Sequence, residues 1–296
     1  MYPLPTEAYR LDISEMIQYN EFNIPNQLKM VIAHTGFCAS TLLSMLIDND
    51  DLIIIREPQV LSQIANIYRI QGGNDYSSSL LRLMLSLLGR KYTIDQKSIL
   101  KLSNYTNNLI EHIMEIESNT TLLTIIGSLD ELMISMLLHE DEASINLKKF
   151  INAMQMDIIN HPKFSRHDID GMSILKQTVL LWSLQMTMLA SLKANLSDRV
   201  YKISTSDVLD RTDFVLTKID NLLGIERTDK ERNNAIKMNK KLNAKKNRNK
   251  AEMYSSNVRD LIRINSQEER RDAKLWACDH GLYIDSDLNY IGHNLL

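Results

Sequence analysis

Residues Lys29–Leu46 read KMVIAHTGFCASTLLSML, and this stretch decides the predicted fold. Its apolar start, Met30–Ala33, predicts a strand that is buried on both faces. The small and polar residues His34–Ala39 then predict a tight turn, and an apolar helical pattern begins near Ser40. Such a turn presents backbone N–H groups that have no intrahelical partner, so the stretch predicts a site for phosphate or sulfate.

The loop lacks the lysine of nucleoside triphosphate hydrolases. Those enzymes place a lysine directly before the terminal serine or threonine, where it reaches the β- and γ-phosphates. Here Cys38 and Ala39 precede Ser40 and Thr41. The sequence therefore disfavours ordinary hydrolysis of ATP or GTP.

Two blocks of this sequence resemble a known family. The loop resembles the phosphosulfate-binding loop of sulfotransferases, which usually ends in S-G-T-T-x-L. It is more similar to a bacterial branch of sulfotransferase-like proteins that reads HTSFCCSTLL followed by REPQVL. The matching residues are HTGFCASTLL at His34–Leu43 and REPQVL at Arg56–Leu61. The resemblance covers roughly residues 29–224 and implies transfer of a sulfuryl group from 3′-phosphoadenosine 5′-phosphosulfate, without a metal, to a hydroxyl or amine of a small-molecule or glycan acceptor.

Composition narrows the class of protein. The chain has 296 residues, of which 44% are hydrophobic and 24% charged, as expected for one large domain with an extension. No segment has the run of uncharged apolar residues that a membrane span needs, and MYPLPTEAYR lacks the pattern of a secretory signal. With only Cys38 and Cys278, we expect a reduced, cytoplasmic protein. The net charge of −3 argues against general binding of nucleic acids.

Strands that alternate with helices predict a parallel sheet covered on both faces. We expect a three-layer α/β P-loop fold with a mostly parallel five-stranded sheet and a helical C-terminal extension. The further strands are predicted at Leu52–Ile55, Ser98–Leu102, Leu122–Ile126 and Arg199–Ile203. The predicted divisions are an N-terminal arm at 1–26, the α/β domain at 27–225, and a basic loop with packed helices at 226–296.

The carboxyl ends of parallel strands share one edge of the sheet, and the candidate catalytic residues follow those ends. The resemblance implies that Glu57 is the base and that Lys101 assists the leaving group. The histidine of the family's K-[TS]-H motif is absent, because Ser103 stands in its place. A carboxylate that is buried beside Arg56 would gain basicity. The alternative is a structural end cap formed by Arg56 and Glu57.

The resemblance also implies the residues that hold the donor. The phosphosulfate would lie against Thr35, Gly36, Phe37, Cys38, Ala39, Ser40 and Thr41. The alternative is a plain turn in which Ser40 is only a helix cap. Phe37 stands where many family members carry a cation. The family usually binds the 3′-phosphate with an arginine at the end of a strand and a serine eight residues later. Here Gly127 occupies the arginine position, and Ser135 is the serine.

From Lys237 to Lys250 seven of fourteen residues are Lys or Arg. One hypothesis is a lid whose Lys245 and Lys246 close over the 3′-phosphate, and the alternative is a solvated segment.

Four residues on the same edge are candidates for substrate contact: His34, Arg56, Ser103 and Asn104. Cys38 at a helix start is a candidate for a thiolate nucleophile, although no base partner is visible in the sequence. Two other functions stay open. A kinase on the same fold would need Mg²⁺, for which Asp130 is the nearest carboxylate. A non-catalytic nucleotide-binding or partner-binding protein would explain the departures at Phe37, Ser103 and Gly127.

Overall fold

A parallel sheet runs through the centre of this computed structural model, which describes residues 12–21, 27–138, 140–192, 196–238, 256–282 and 293–294. The strands are β1 Leu28–His34, β2 Leu52–Arg56, β3 Lys97–Lys101, β4 Thr121–Ile126, β5 Val200–Ser204 and β6 His293–Asn294. Their order is β2-β3-β1-β4-β5-β6, and each pair of neighbours is parallel. The five predicted strands and the three-layer α/β fold are confirmed. The short β6 at one edge was not predicted.

Helices cover both faces of this sheet. They are α1 Ile13–Glu21, α2 Ser40–Leu46, α3 Gln59–Gln71, α4 Asp75–Leu88, α5 Ile110–Ile116, α6 Leu129–Leu138, α7 Glu140–Ala153, α8 Gln155–Asn160, α9 Ile174–Ser191, α10 Thr205–Asp210, α11 Thr212–Leu223, α12 at 229–238, α13 Ser256–Asn265 and α14 Gln267–Asp279. A 3₁₀ turn, Asn104–Leu109, leads into α5. None of the helices in the described ranges is long and apolar enough to cross a bilayer.

Two apolar cores lie on opposite faces of the sheet, because successive side chains of a strand point to opposite sides. On β1, Val31 and Ala33 belong to the core that includes α3, α4, α5, α6 and α9. Met30 and Ile32 belong to the second core, with α2 and α11. The central strands are therefore buried on both faces, as their continuous apolar runs predict.

The C-terminal helices pack on the same layer as α6 and α9. Helix α13 contacts α6, and α14 contacts α9. Ion pairs reinforce the first contact: Glu131 lies 2.7 Å from Arg259 and 2.6 Å from Arg263. Asp130 pairs with Arg270 and, at 2.8 Å, with Lys274. The two acidic residues at the start of α6 thus hold cations from both C-terminal helices.

Candidate active site

Three ionisable side chains meet where β1, β2 and β3 end. His34 is the last residue of β1, Lys101 the last of β3, and Glu57 follows β2 directly. Lys101 forms an ion pair with Glu57, and its Nζ lies 3.4 Å from His34 Nε2. The Lys101 side chain is only 1% exposed, whereas that of Glu57 is 45% exposed. The group therefore presents a carboxylate to solvent and keeps the ammonium behind it.

The backbone at Glu57 turns sharply. Its φ of 50° is left-handed, and its N–H donates to the carbonyl of Lys101 at 2.8 Å. Pro58 follows, and a proline disfavours the right-handed helical region for the residue before it. Because β2 and β3 are neighbours in register at Arg56 and Lys101, this turn places the carboxylate over the end of β3.

Arg56 does not join this group. Its guanidinium donates to Ser44 Oγ at 3.0 Å, to the Ser44 carbonyl at 2.9 Å, and to Asp48 at 2.7 Å. The alternative of an end cap formed by Arg56 and Glu57 is therefore not what the structure shows. Nor is the expected burial of Glu57 observed, since nearly half of its side chain is exposed.

His34 bridges the ends of β1 and β3. Its Nδ1 lies 2.8 Å from the Thr35 carbonyl oxygen and its Nε2 lies 3.0 Å from that of Leu102. Burial, followed by the charge of Lys101, lowers the pKa of His34 to about 4. The ring is therefore neutral at pH 7, and it donates to only one of these two carbonyl oxygens.

The loop after β1 is held at its first residues. Thr35 donates its N–H to the Ile125 carbonyl at 3.1 Å, and its Oγ1 accepts the Gly127 N–H at 2.9 Å. Gly36 donates its N–H to Gln185 Oε1 at 3.0 Å. An anion would therefore meet the loop amides that follow Gly36. Among the amides predicted to bind the phosphosulfate, that of Gly36 already donates to a side chain.

The rest of the loop has an unusual backbone. Phe37 and Ala39 have left-handed φ values of 57° and 60°. Ala39 is the N-cap of α2, with no side-chain cap bond, so Ser40 is the first helical residue rather than the cap. Phe37 is 60% exposed and supplies no charge. The first turn of α2 consequently lacks a side-chain acceptor at its cap.

Helix α9 braces the loop. Trp182 donates its Nε1–H to the Gly127 carbonyl at 3.0 Å, and Gln185 holds Gly36 one turn later. A Cβ at Gly127 would lie 3.4 Å from that of Cys38, which shows how closely the end of β4 packs on the loop. Sequence reasoning assigned Trp182 to the core and missed Gln185. A glutamine within an apolar helix was the available signal.

Cys38 is a buried thiol. Burial raises its pKa to about 11, despite opposing hydrogen bonds from Ser40. The suggestion of a thiolate with a lowered pKa was wrong, because the side chain is buried in the apolar core beside α2 and this burial outweighs the hydrogen bonds from Ser40. Nucleophilic catalysis by Cys38 is not supported.

The 3₁₀ turn lines the same edge with buried polar groups. Ser103 and Asn104 are both buried, and a Cβ on Gly36 would lie 3.3 Å from Asn104 Nδ2. Asn107 Nδ2 donates to the His34 carbonyl at 3.1 Å, while its buried Oδ1 has no partner among the residues that the structure describes. Asn104 is thus brought to the loop and Asn107 to His34.

Ser135 lies beside a cation that sequence reasoning missed. Its Oγ donates to the Glu131 carbonyl at 2.8 Å. Arg259 NH2 lies 3.5 Å from the Ser135 Oγ. Helix α13 therefore brings an arginine beside Ser135. Lys245 and Lys246 lie outside the described residues.

No group of three His, Cys, Asp or Glu side chains suited to a metal ion occurs within the ranges that the structure describes.

Comparison with known proteins gives likeness in structure only. No family model and no curated protein matches the sequence. Sulfotransferase STF9 from Mycobacterium avium superposes with a TM-score of 0.50 at 8% identity, over 77% of this chain and 72% of that one. The sulfotransferase domain from the curacin biosynthetic pathway gives 0.49 at 10% identity, over 70% and 77%. Mouse sulfotransferase SULT7A1, solved with PAP, gives 0.40 at 14% identity, over 77% and 69%. The likeness to STF9 shows that this chain has a sulfotransferase-like fold.

Proposed function

We propose that the chain transfers a sulfuryl group from 3′-phosphoadenosine 5′-phosphosulfate to a hydroxyl or amine of a small-molecule or glycan acceptor. The observation that carries the proposal is the ion pair of Glu57 with Lys101 at the edge where the β1 loop turns. Positioning of the reactants and stabilisation of developing charge contribute most of the catalysis in such transfers. A base and a cation at one point, beside an amide-lined loop, are the parts that this chemistry needs.

The step divides between the two residues. The acceptor oxygen or nitrogen bonds to sulfur while the bond between sulfur and the bridging phosphate oxygen breaks. Glu57 takes the proton of the acceptor, which its exposed carboxylate can reach. Lys101, which is buried behind Glu57, would offset the charge that develops on the leaving oxygen through its field rather than by contact. The products are the sulfated acceptor and adenosine 3′,5′-bisphosphate.

The donor would use the loop and α13. Its 5′-phosphosulfate would meet the amides that follow Gly36, and its 3′-phosphate would meet Ser135 and Arg259. Arg259 is now paired with Glu131 at 2.7 Å. The phosphate would therefore compete with a carboxylate for this arginine.

Binding is the first test. Adenosine 3′,5′-bisphosphate should raise the melting temperature, and ATP with Mg²⁺ should raise it less, since mass action stabilises the form that binds. Arg259→Gln should weaken the bisphosphate effect and leave melting without ligand nearly unchanged. No stabilisation by the bisphosphate would remove the proposed donor.

Turnover is the second test, with sulfur-labelled donor and a panel of phenols, alcohols, amines and sugars. Glu57→Gln should abolish transfer and keep bisphosphate affinity. Asp48→Asn is the matched control, because it removes a carboxylate that pairs with Arg56 instead of Lys101. Transfer that survives in Glu57→Gln would exclude Glu57 as the base.

A non-catalytic nucleotide-binding protein is the second candidate. It is favoured by the exposed Phe37 in place of a cation and by Gln185, which already occupies the Gly36 amide. Bisphosphate binding without transfer to any acceptor would support it. The kinase alternative is weaker, because Asp130 is held by Arg270 and Lys274. Thermal stabilisation by ATP with Mg²⁺, and not by the bisphosphate, would favour the kinase function.

A further inference from the structure

A cavity lies in the helical layer that contains α3, α5, α8 and α9. Its volume is about 460 Å³, within the range of small-molecule sites. The 3₁₀ turn separates it from the transfer residues. Asn107 bonds to His34 on one side, while the next residue, Asn108, lines the cavity. The cavity is therefore a separate candidate site.

The formal charges in its wall cancel. Arg69 and Asp157 are the lining residues with a formal charge, and they pair at 2.7 Å with side chains that are 3% and 10% exposed. Arg69 is further held by Asn66 Oδ1 at 3.0 Å and by the Tyr105 carbonyl. A charged ligand would find no uncompensated Arg, Lys, Asp or Glu among the lining residues. The wall favours a neutral ligand.

The cavity wall also contains the imidazoles of His112 and His161, the Tyr68 hydroxyl, and four side chains that both donate and accept. These four are the amides of Asn108 and Asn160 and the hydroxyls of Thr187 and Ser191. Thr187 Oγ1 donates to the Ser183 carbonyl at 2.9 Å, which leaves its lone pairs to accept. Asn108 donates to the Ala65 carbonyl at 3.1 Å, and its Oδ1 is buried without a partner among the described residues, so the Asn108 side chain would have to rotate to accept from a ligand.

Apolar surface completes the wall. The rings of Tyr68 and His112 lie 4.6 Å apart, tilted by 42°, and Leu184 and Met188 face the same space. Rings and aliphatic groups beside paired amides and hydroxyls suit a molecule that has hydroxyls at its rim and C–H groups on its face. Polyhydroxylated rings have that surface, and simple anions or hydrocarbons do not.

We propose that this cavity binds a neutral carbohydrate unit, apart from the residues of sulfuryl transfer. The amides of Asn108 and Asn160 and the hydroxyls of Thr187 and Ser191 would bond to the sugar hydroxyls. The ring pair of Tyr68 and His112 would cover the apolar face of the sugar. The site does not require that transfer occur.

Amide NMR of the labelled full chain tests the site with three probes. These are methyl β-D-glucopyranoside, the anion D-glucuronate, and cyclohexanol. The glucoside should shift the backbone signals of Gly72 and Gly73, which line the cavity, with Kd in the millimolar range. The other two should bind more weakly. Absence of glucoside shifts up to about 100 mM, or tighter binding of either comparison probe, would overturn the proposal.

Variants locate the bound sugar. Thr187→Val should weaken glucoside binding by about fivefold through loss of one hydrogen bond. Thr178→Val is the matched control, because Thr178 also donates to a carbonyl four residues back on α9 but does not line the cavity. Ser191→Trp, at an exposed position, should abolish binding without changing the fold. Unchanged affinity in both cavity variants would refute the site.

A last variant separates the cavity from the transfer residues. Lys101→Met should keep glucoside binding. If it abolished that binding instead, the sugar would sit at Glu57 and Lys101, and the separate site would be excluded. Because the readout is NMR, a failure of sulfuryl transfer would leave this proposal standing, and the reverse also holds.

Discussion

Lowering the pH should destabilise the folded chain through His34. In the folded state burial, and then the charge of Lys101, lowers its pKa from 6.5 to about 4. Unfolding exposes the ring and restores the ordinary pKa, so between these values the unfolded chain binds more protons. Stability due to the neutral ring is therefore complete above pH 6.5 and is lost as the pH falls toward 4.

The size of the effect follows from the difference of 2.5 between the pKa values, 6.5 minus 4. At about 1.36 kcal/mol per unit, the full loss is about 3 kcal/mol. Between pH 8 and pH 5 the same linkage gives about 2 kcal/mol. This amount is a substantial part of the stability of an ordinary domain.

Urea denaturation of the wild type and of His34→Gln at both pH values measures the loss. Glutamine cannot gain the proton, so the wild type should lose about 2 kcal/mol more than the variant on acidification. Other histidines contribute equally to both proteins and cancel. Equal losses, or an NMR titration that places the pKa of His34 near 6.5, would refute the reasoning.

Three further predictions concern packing. Arg227→Met should lower the free energy of unfolding by about 3 kcal/mol, because the buried Asp220 loses its partner at 3.1 Å and keeps only Arg232 at 3.8 Å; adding Asp220→Asn should recover much of the loss, and no recovery would exclude the charge as the cause. Gly224→Ala should cost about 1 kcal/mol, since Gly224 ends α11 at φ 63°; an unchanged denaturation midpoint would contradict this. Trp182→Phe keeps an aromatic ring, although a smaller one, but loses the hydrogen bond to the Gly127 carbonyl, so bisphosphate affinity by calorimetry should fall about fivefold, and unchanged affinity would show that this hydrogen bond is not needed.

The sheet was predictable from sequence because its strands are continuous apolar runs. Leu122–Ile126 and Met30–Ala33 are buried on both faces, and such segments have few other uses in a chain of this length. Right-handed connections between parallel strands place the carboxyl ends of those strands along one edge of the sheet. Glu57 and Lys101 were therefore expected on that edge, although 44 residues separate them.

The partners across the edge were not predictable. Sequence reasoning placed Glu57 beside its neighbour Arg56, but adjacency of β2 and β3 pairs it with Lys101. The bond from Gly36 to Gln185 spans 149 residues. Side-chain contacts of this kind depend on how helices cross the sheet, and local patterns contain no information about that.

Three residues that bear a β-carbon, Phe37, Ala39 and Glu57, adopt the left-handed backbone that glycine tolerates best. Each conformation costs roughly 1–2 kcal/mol relative to glycine. Selection for heat resistance alone would thus favour glycine at all three sites. At Ala39 that exchange removes only a methyl group, but at Glu57 it would remove the proposed base. At Glu57 a glycine would therefore raise thermal stability but remove the proposed transfer activity. Both effects can be measured in a single Glu57→Gly variant.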